Sequence, residues 1–296
     1  MRARVRTGAR RRTVSALAFA ASWLVAGGCK GREPPPTPTP GADETKAEAV
    51  RKPTGKRADP TPPLIPVPKR PDLKPLAGQM VLDGELIDVS WQDGDSFSFR
   101  EGEERVRTRL ADYNTLESYS PVHQWGRWHP DDLLDLAKEA GAFAKAGGWH
   151  CERTGSGGGY GRIAVRCPGL ALRLVSQGLA HVFRVDGPAQ PDDSKPVGRY
   201  LRVLLAAQQS ARTRKVGMWL KGAPEAIVTS LHSKDEKGAK GRPYDRVTDT
   251  RTGLALAEHH DNTHELCHKI CHRGSCMYYI PYERRFGKTR AICKAH

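Results

Sequence analysis

Two acids, two guanidiniums and an amide are the side chains of this sequence that could together handle a phosphodiester. Asp95 closes the turn Gln92-Asp93-Gly94-Asp95, and Arg109 lies on a β-patterned run. Asn114-Thr115-Leu116-Glu117 follows that run's end, and Arg162 comes after a Gly-rich turn in TGSGGGYGR. Carboxylate, amide and carbonyl oxygens select hard cations such as Ca²⁺ or Mg²⁺. Arginine forks match phosphate oxygens bidentately and stay charged. A phosphodiester resists hydroxide because like charges repel, so a divalent cation and two guanidiniums would neutralise the oxygens where charge grows.

These residues need a scaffold that brings strand ends together. Gly84–Trp91, Ser96–Arg100 and Val106–Tyr113 alternate and are rich in β-branched or aromatic residues, and Asp-Gly marks the hairpin turn between the first two. Asp132–Ala146 is predicted helical, with Asp131 and Asp132 near its positive end. Leu170–Gln177 reads as a short helix stopped by Gly178, and Arg199–Thr213 as a longer one. The expected class is α+β: a five-stranded barrel with about three packed helices.

Within that frame the chain resembles the staphylococcal nuclease (thermonuclease) family, an OB-fold. The D-G-D-S signature is Asp93-Gly94-Asp95-Ser96, and the family's R-L-x-x-x-D-T-P-E stands as Arg109-Leu110-Ala111-Asp112-Tyr113-Asn114-Thr115-Leu116-Glu117. Y-G-R is Tyr160-Gly161-Arg162, and E-A-x-A-F is Glu139-Ala140-Gly141-Ala142-Phe143. LVSQGLAHV (174–182) and AAQQSARTRKVGMW (206–219) complete six pieces in order over about 78–220.

The resemblance implies calcium held by Asp95, the Thr115 carbonyl and, where the family has a second Asp, Asn114. Arg109 and Arg162 would hold the scissile phosphate, and Glu117 would orient or deprotonate the attacking water. The implied activity is hydrolysis of DNA and RNA to a 3′-phosphate and a 5′-hydroxyl. Three departures bear on it. Asn114 keeps an oxygen but loses a charge, so calcium should bind more weakly; Asp112 could help. Leu116 replaces a Pro, which loosens the turn aiming Glu117. Arg184 and Asp186 stand where the family carries nucleotide-stacking tyrosines, leaving Phe183 as a different platform. Asn114 and the missing tyrosines favour an alternative: a catalytically impaired OB module binding nucleic acid or an envelope partner.

The 296 residues carry a net charge of +15, yet residues 78–220 hold 18 charges of each sign. The excess sits elsewhere: +6 in residues 1–12, +4 in 30–77 and +5 in 221–296. No apolar stretch of the body approaches the length of a membrane span, which excludes a polytopic membrane protein.

Residues 1–29 combine a basic start, an apolar stretch and Leu24-Val25-Ala26-Gly27-Gly28-Cys29, which looks like a bacterial lipobox with Cys29 as the lipidated residue. The expectation is an exported, envelope-located monomer anchored to a membrane through lipid. Thirteen of the 22 prolines fall between 34 and 75, so 30–77 reads as a disordered Pro-rich linker, with or without a spacing role.

In an exported chain the six remaining cysteines suggest disulfides. Cys151 and Cys167 flank the Gly-rich turn and could face each other across a hairpin. Ser118–Pro130, beside Glu117, either contacts substrate or packs over the barrel mouth. Residues 221–252 read as a polar linker and 253–296 as a Cys/His-rich tail. There Leu254–His272 is expected to be helical, placing His260, His264, His268 and His272 along one stripe. Cys267, Cys271, Cys276 and Cys293 admit three disulfide pairings, with zinc binding as the alternative. The tail either grips a polyanion or is a small stapled domain with a basic face.

Overall fold

Few strands alternate strictly: residues 97–99 and 113–115 are buried throughout, whereas 108–110 read buried, half-buried, buried. The computed structural model describes residues 73–157, 160–185, 187, 190–236 and 241–293, which lie in one compact unit. The leader with Cys29, Asp186 and most of the Pro-rich segment lie outside the described residues.

In chain order the first strands are β1 (Gln79–Leu82), β2 (Glu85–Asp88), β3 (Ser90–Trp91), β4 (Phe97–Glu101), β5 (Glu104–Leu110) and β6 (Tyr113–Thr115). Next come β7 (His123–Trp125), α1 (Pro130–Ala146), β8 (Trp149–Gly157), β9 (Ile163–Arg166), α2 (Pro168–Ser176), β10 (Ala180–Val182) and α3 (Pro196–Arg214). The protein is α+β, with a seven-stranded sheet ordered β2-β1-β8-β9-β5-β4-β3. Strand β2 returns against β4, so the sheet nearly closes into a barrel. The strand count exceeds the expected five partly because the run Gly84–Trp91 divides. Val89 interrupts it, its amide bonding Gly78 O at 2.9 Å, so that β2 pairs with β1 while β3 pairs with β4.

Met80, Leu82, Phe97, Phe99, Leu110, Tyr113 and Val165 fill the barrel against Leu170 and Leu174 of α2. Fully burying such a side chain contributes roughly 1.5–3 kcal/mol. Cys151 on β8 and Cys167 before α2 form the expected disulfide. Among the described residues no helix is long and apolar enough to cross a membrane.

The C-terminal region departs most from its sequence reading. Residues 221–252 contain β11 (Ala226–Ser230) and β12 (Tyr244–Asp249) rather than a linker alone, and β13 (Ala255–His259) completes a three-stranded antiparallel sheet. The expected helix over Leu254–His272 is absent; that stretch holds β13, a loop and β14 (Lys269–His272). Poor helix formers, His259 to His264, interrupt it, and cross-links override what propensity remains. Cys271 pairs with Cys276 directly opposite on β15 (Ser275–Tyr278), while Cys267, at φ 64°, joins Cys293.

The insert 118–130 receives this tail. Strand β7 pairs with β15, with Ser275 opposite Trp125 and Met277 opposite His123. Trp125 and Trp128 are buried, and both indole N–H groups donate to Met218 O, at 3.2 and 2.8 Å. Truncating a buried Trp costs about 3–5 kcal/mol, so these rings act in packing. The insert packs beside the barrel core rather than within it, its tryptophans joining Leu133, Met218, Trp219 and Ile227 in a separate cluster.

Candidate active site

Helix α1 and β6 press on the turn that carries Asp95. A Cβ on Gly94 would meet Thr115 Cγ2 at 2.6 Å and Ala140 Cβ at 3.0 Å, so only glycine lets the turn approach this closely. Tyr113 Oη donates to Gly94 O at 2.8 Å, and Leu110 N to Asp95 O at 2.8 Å. The Asp95 side chain therefore enters the space between β5 and β6.

There it is saturated with donors. Oδ1 accepts from Arg109 Nη1 at 2.6 Å and Ser96 Oγ at 3.0 Å. Oδ2 accepts from Thr115 N at 2.8 Å and Thr115 Oγ1 at 3.2 Å. Arg109 Nη2 donates to Asn114 Oδ1, and Asn114 Nδ2 donates to Thr115 O at 3.0 Å. The structure thus brings Asp95, Arg109, Asn114 and Thr115 into one direct-contact cluster.

Glu117 and Arg162 join it electrostatically. Burial raises the Glu117 carboxyl above its ordinary range; Arg109 opposes this, Asp95 adds to it, and Arg285 and Arg162 also lower it. Burial opposes charge on Arg109, but Asp95, Asp93 and Glu117 outweigh it and hold that guanidinium above its usual value. Arg162 is pushed down by burial and by neighbouring Arg109, with Asp95 and Asp93 pulling the other way. Parallel pairing of β5 with β9 sets Thr108 opposite Ile163 and Arg109 opposite Ala164, which brings Arg162 into this field.

Sequence reasoning passed over three members. Asp93 belongs to the D-G-D signature but received no role; burial, reinforced by Asp95 and resisted by Arg109, pushes its carboxyl up to about 8. His123 accepts from the Glu117 amide at 3.2 Å through Nε2. Burial, with His181 adding to it, lowers His123 to about 3, so it is neutral and available as an acceptor. Arg285 arrives from the tail: Nε donates to Ile280 O at 3.0 Å, and the guanidinium lies 5.6 Å from the Tyr119 ring centroid and 3.9 Å from Glu236 Oε1. Only the D-G-D spacing offered a signal; 168 residues of sequence separate Arg285 from Glu117, and no local pattern links them.

The suggested helper Asp112 and the departure at Arg184 both lie apart from the cluster. Asp112 pairs with Arg166, away from Asp95. Arg184 is buried and tied to the tail, its Nε donating to Thr252 O at 3.0 Å and its amide to Gly253 O at 2.9 Å. It presents no base-binding face. Phe183 sits edge-on to His181, with centroids 6.4 Å apart. A shallow hollow of about 270 Å³ flanks the cluster on the Asp93 side, lined by Trp91, Ser118, Lys138 and Lys145 among others.

Neither protein-family models nor curated proteins match this chain.

The donor set of the cluster consists of hard oxygens: the Asp93, Asp95 and Glu117 carboxyl groups, the Asn114 amide and the Thr115 carbonyl. Such a set fits calcium in kind. The three carboxyl groups do not gather their oxygens as tightly as Asp245, His260 and His264 do in the tail. Arg109 supplies the positive charge among them.

Proposed function

We propose that the protein is an exported, lipid-anchored, calcium-dependent phosphodiesterase that hydrolyses DNA, RNA or both on a thermonuclease-like OB barrel. The observation carrying this reading is the contact cluster of Asp95, Arg109, Asn114 and Thr115 with Glu117 and Arg162 in electrostatic reach. Three disulfides suit the oxidising compartment that export through Cys29 would reach.

Asp95, Asn114 Oδ1 and the Thr115 carbonyl would hold the ion. Bound there, calcium supplies Lewis-acid charge to the phosphate oxygens. Arg109 and Arg162 bind the non-bridging oxygens, and the phosphate competes with Asp95 and Asn114 for the Arg109 fork. Glu117, its amide fixed by His123, takes a proton from water as the water oxygen bonds to phosphorus. The bond from phosphorus to the 5′ oxygen breaks, and that oxygen leaves with a proton from solvent. Positioned base help of this kind contributes roughly 10²–10⁴-fold.

A second reading has its own observation. Arg109 satisfies both Asp95 and Asn114 without any cation, as in a barrel that kept its fold and binds nucleic acid without cutting it. An assay of nucleotide release from single-stranded DNA with calcium separates the two. Arg162→Ala should lower the rate by about 10²–10³-fold. A wild-type rate no greater than that variant's would leave only the binding module.

A further inference from the structure

The tail gathers ligands of a different kind. Asp245 on β12 is buried, and among the described residues no Lys or Arg pairs with it. Imidazoles surround it instead. His260 Nε2 lies 3.2 Å and His264 Nε2 3.7 Å from Oδ1, and His272 Nε2 lies 2.9 Å from Oδ2. A buried carboxylate without a full cationic partner is costly, and a cation in its place relieves that cost.

His264 makes the independent case. Its side chain is 4% exposed and aimed at Asp245, yet neither ring nitrogen has a hydrogen-bond partner. Buried polar groups of this type are almost always satisfied. The rings of His260 and His268 stand 5.0 and 6.0 Å from it, centroid to centroid.

We propose that Asp245, His260 and His264 bind a zinc ion. Their ligand atoms lie within 4.8 Å of one another. Zinc bonds of about 2.0–2.1 Å in a tetrahedron place ligand atoms roughly 3.3–3.4 Å apart, and the two separations at Oδ1, 3.2 and 3.7 Å, bracket that value. Calcium demands six to eight oxygens, so a set with two imidazoles discriminates against the barrel site's ion. All four tail thiols are held in disulfides, which leaves nitrogen and oxygen as the donors.

Neighbouring groups hold the set in place. His272, with Nδ1 3.0 Å from Glu258 Oε2, fixes the second oxygen of Asp245; Arg273 in turn holds Glu258 at 2.7 Å. Such a chain of partners orients a metal ligand. The backbone amide of His264 is anchored on Ser233 Oγ at 2.8 Å, and the Cys267–Cys293 bridge begins three residues later. One contact yields on loading. The Asn262 amide donates to His260 Nδ1 at 3.2 Å in an exposed stretch, and a zinc-bound ring carries a proton there. Water replaces it. The fourth position falls to water, as in zinc sites with three protein ligands.

The test uses the full chain, prepared without metal-affinity resin, stripped with chelator and titrated with zinc. One equivalent should be retained through gel filtration, and Tm should rise with zinc concentration, since the ion binds the folded state. His264→Gln should abolish retention, and His272→Gln should weaken affinity about 10–100-fold. Near-UV circular dichroism and the disulfide count verify that each variant folds. Where His264→Gln fails to fold, NMR of the wild-type ring nitrogens replaces it, with zinc-dependent shifts expected at His260 and His264. No retained zinc in the wild type, retention unchanged in a folded His264→Gln, or unmoved ring nitrogens would each overturn the proposal. Activity plays no part in these readouts.

Discussion

Arg109 closes on Asp95 at 2.6 Å across 14 residues of sequence, and its second nitrogen takes the oxygen of Asn114. The arginine expected to hold phosphate and two groups expected to hold the cation are therefore one another's partners. Binding of ion and substrate must compete with this pair. Asn114→Asp adds a carboxylate to the donor set and should raise calcium affinity by roughly tenfold, equivalent to about 1.4 kcal/mol. Calorimetric titration of both proteins reads this directly; equal or weaker affinity in the variant would mean that the added charge strengthens only the grip on Arg109.

Glu117 feels Arg285 from the tail, which draws its carboxyl down against burial. In the proposed hydrolysis Glu117 must be deprotonated to act as base, so the expected activity falls as pH drops through the Glu117 value. Removing Arg285 leaves burial less opposed and moves that value up. The acidic limb of the kcat profile of Arg285→Ala should therefore shift to higher pH, while the rate well above the limb changes less. An unmoved limb would disconnect the tail from the site.

His123 is held neutral to about pH 3, whereas an unfolded chain binds that proton near pH 6.5. Below pH 6.5 the unfolded state takes up more protons, so stability falls with pH, by about 1.4 kcal/mol per unit for this residue. His123→Gln keeps an acceptor for the Glu117 amide and removes the titration. Denaturant unfolding at several pH values should show the variant gaining on the wild type between pH 7 and pH 5, by about 2 kcal/mol at the lower value. A constant difference would mean that folding leaves the His123 pKa unchanged.

The Cys151–Cys167 bridge closes a 16-residue separation. Loop entropy for about 15 residues corresponds to roughly 3 kcal/mol. The double variant Cys151→Ala, Cys167→Ala should lose stability of that order in urea unfolding. Cys271–Cys276, only 5 residues apart, should contribute less when removed in the same way.

Much of the barrel region was legible because its signals are local. Asp-Gly at 93–94 specifies a turn, alternation in 96–100 and 106–113 specifies strands, and Leu/Ala/Glu/Lys-rich composition in 132–146 specifies a helix; the turn joins β3 to β4 and the helix is α1, whereas the run 106–113 breaks at Asp112 (φ 73°), with its first part in β5 and Tyr113 in β6 against β10. The Asp95, Arg109, Asn114 and Thr115 grouping followed from motif order along the chain. In the tail, local signals misled. Histidines at four-residue intervals imitate a helix stripe, but two cross-links and pairing with β7 impose strands, and three of those histidines reach Asp245 by loop closure. Residue types, spacing and charge distribution belong to the sequence and marked out a candidate phosphate site. The partners of Arg109, the neutral state of His123, the arrival of Arg285 and the pocket around Asp245 were decided by tertiary structure alone, because burial and contacts between distant residues set each group's electrostatic surroundings.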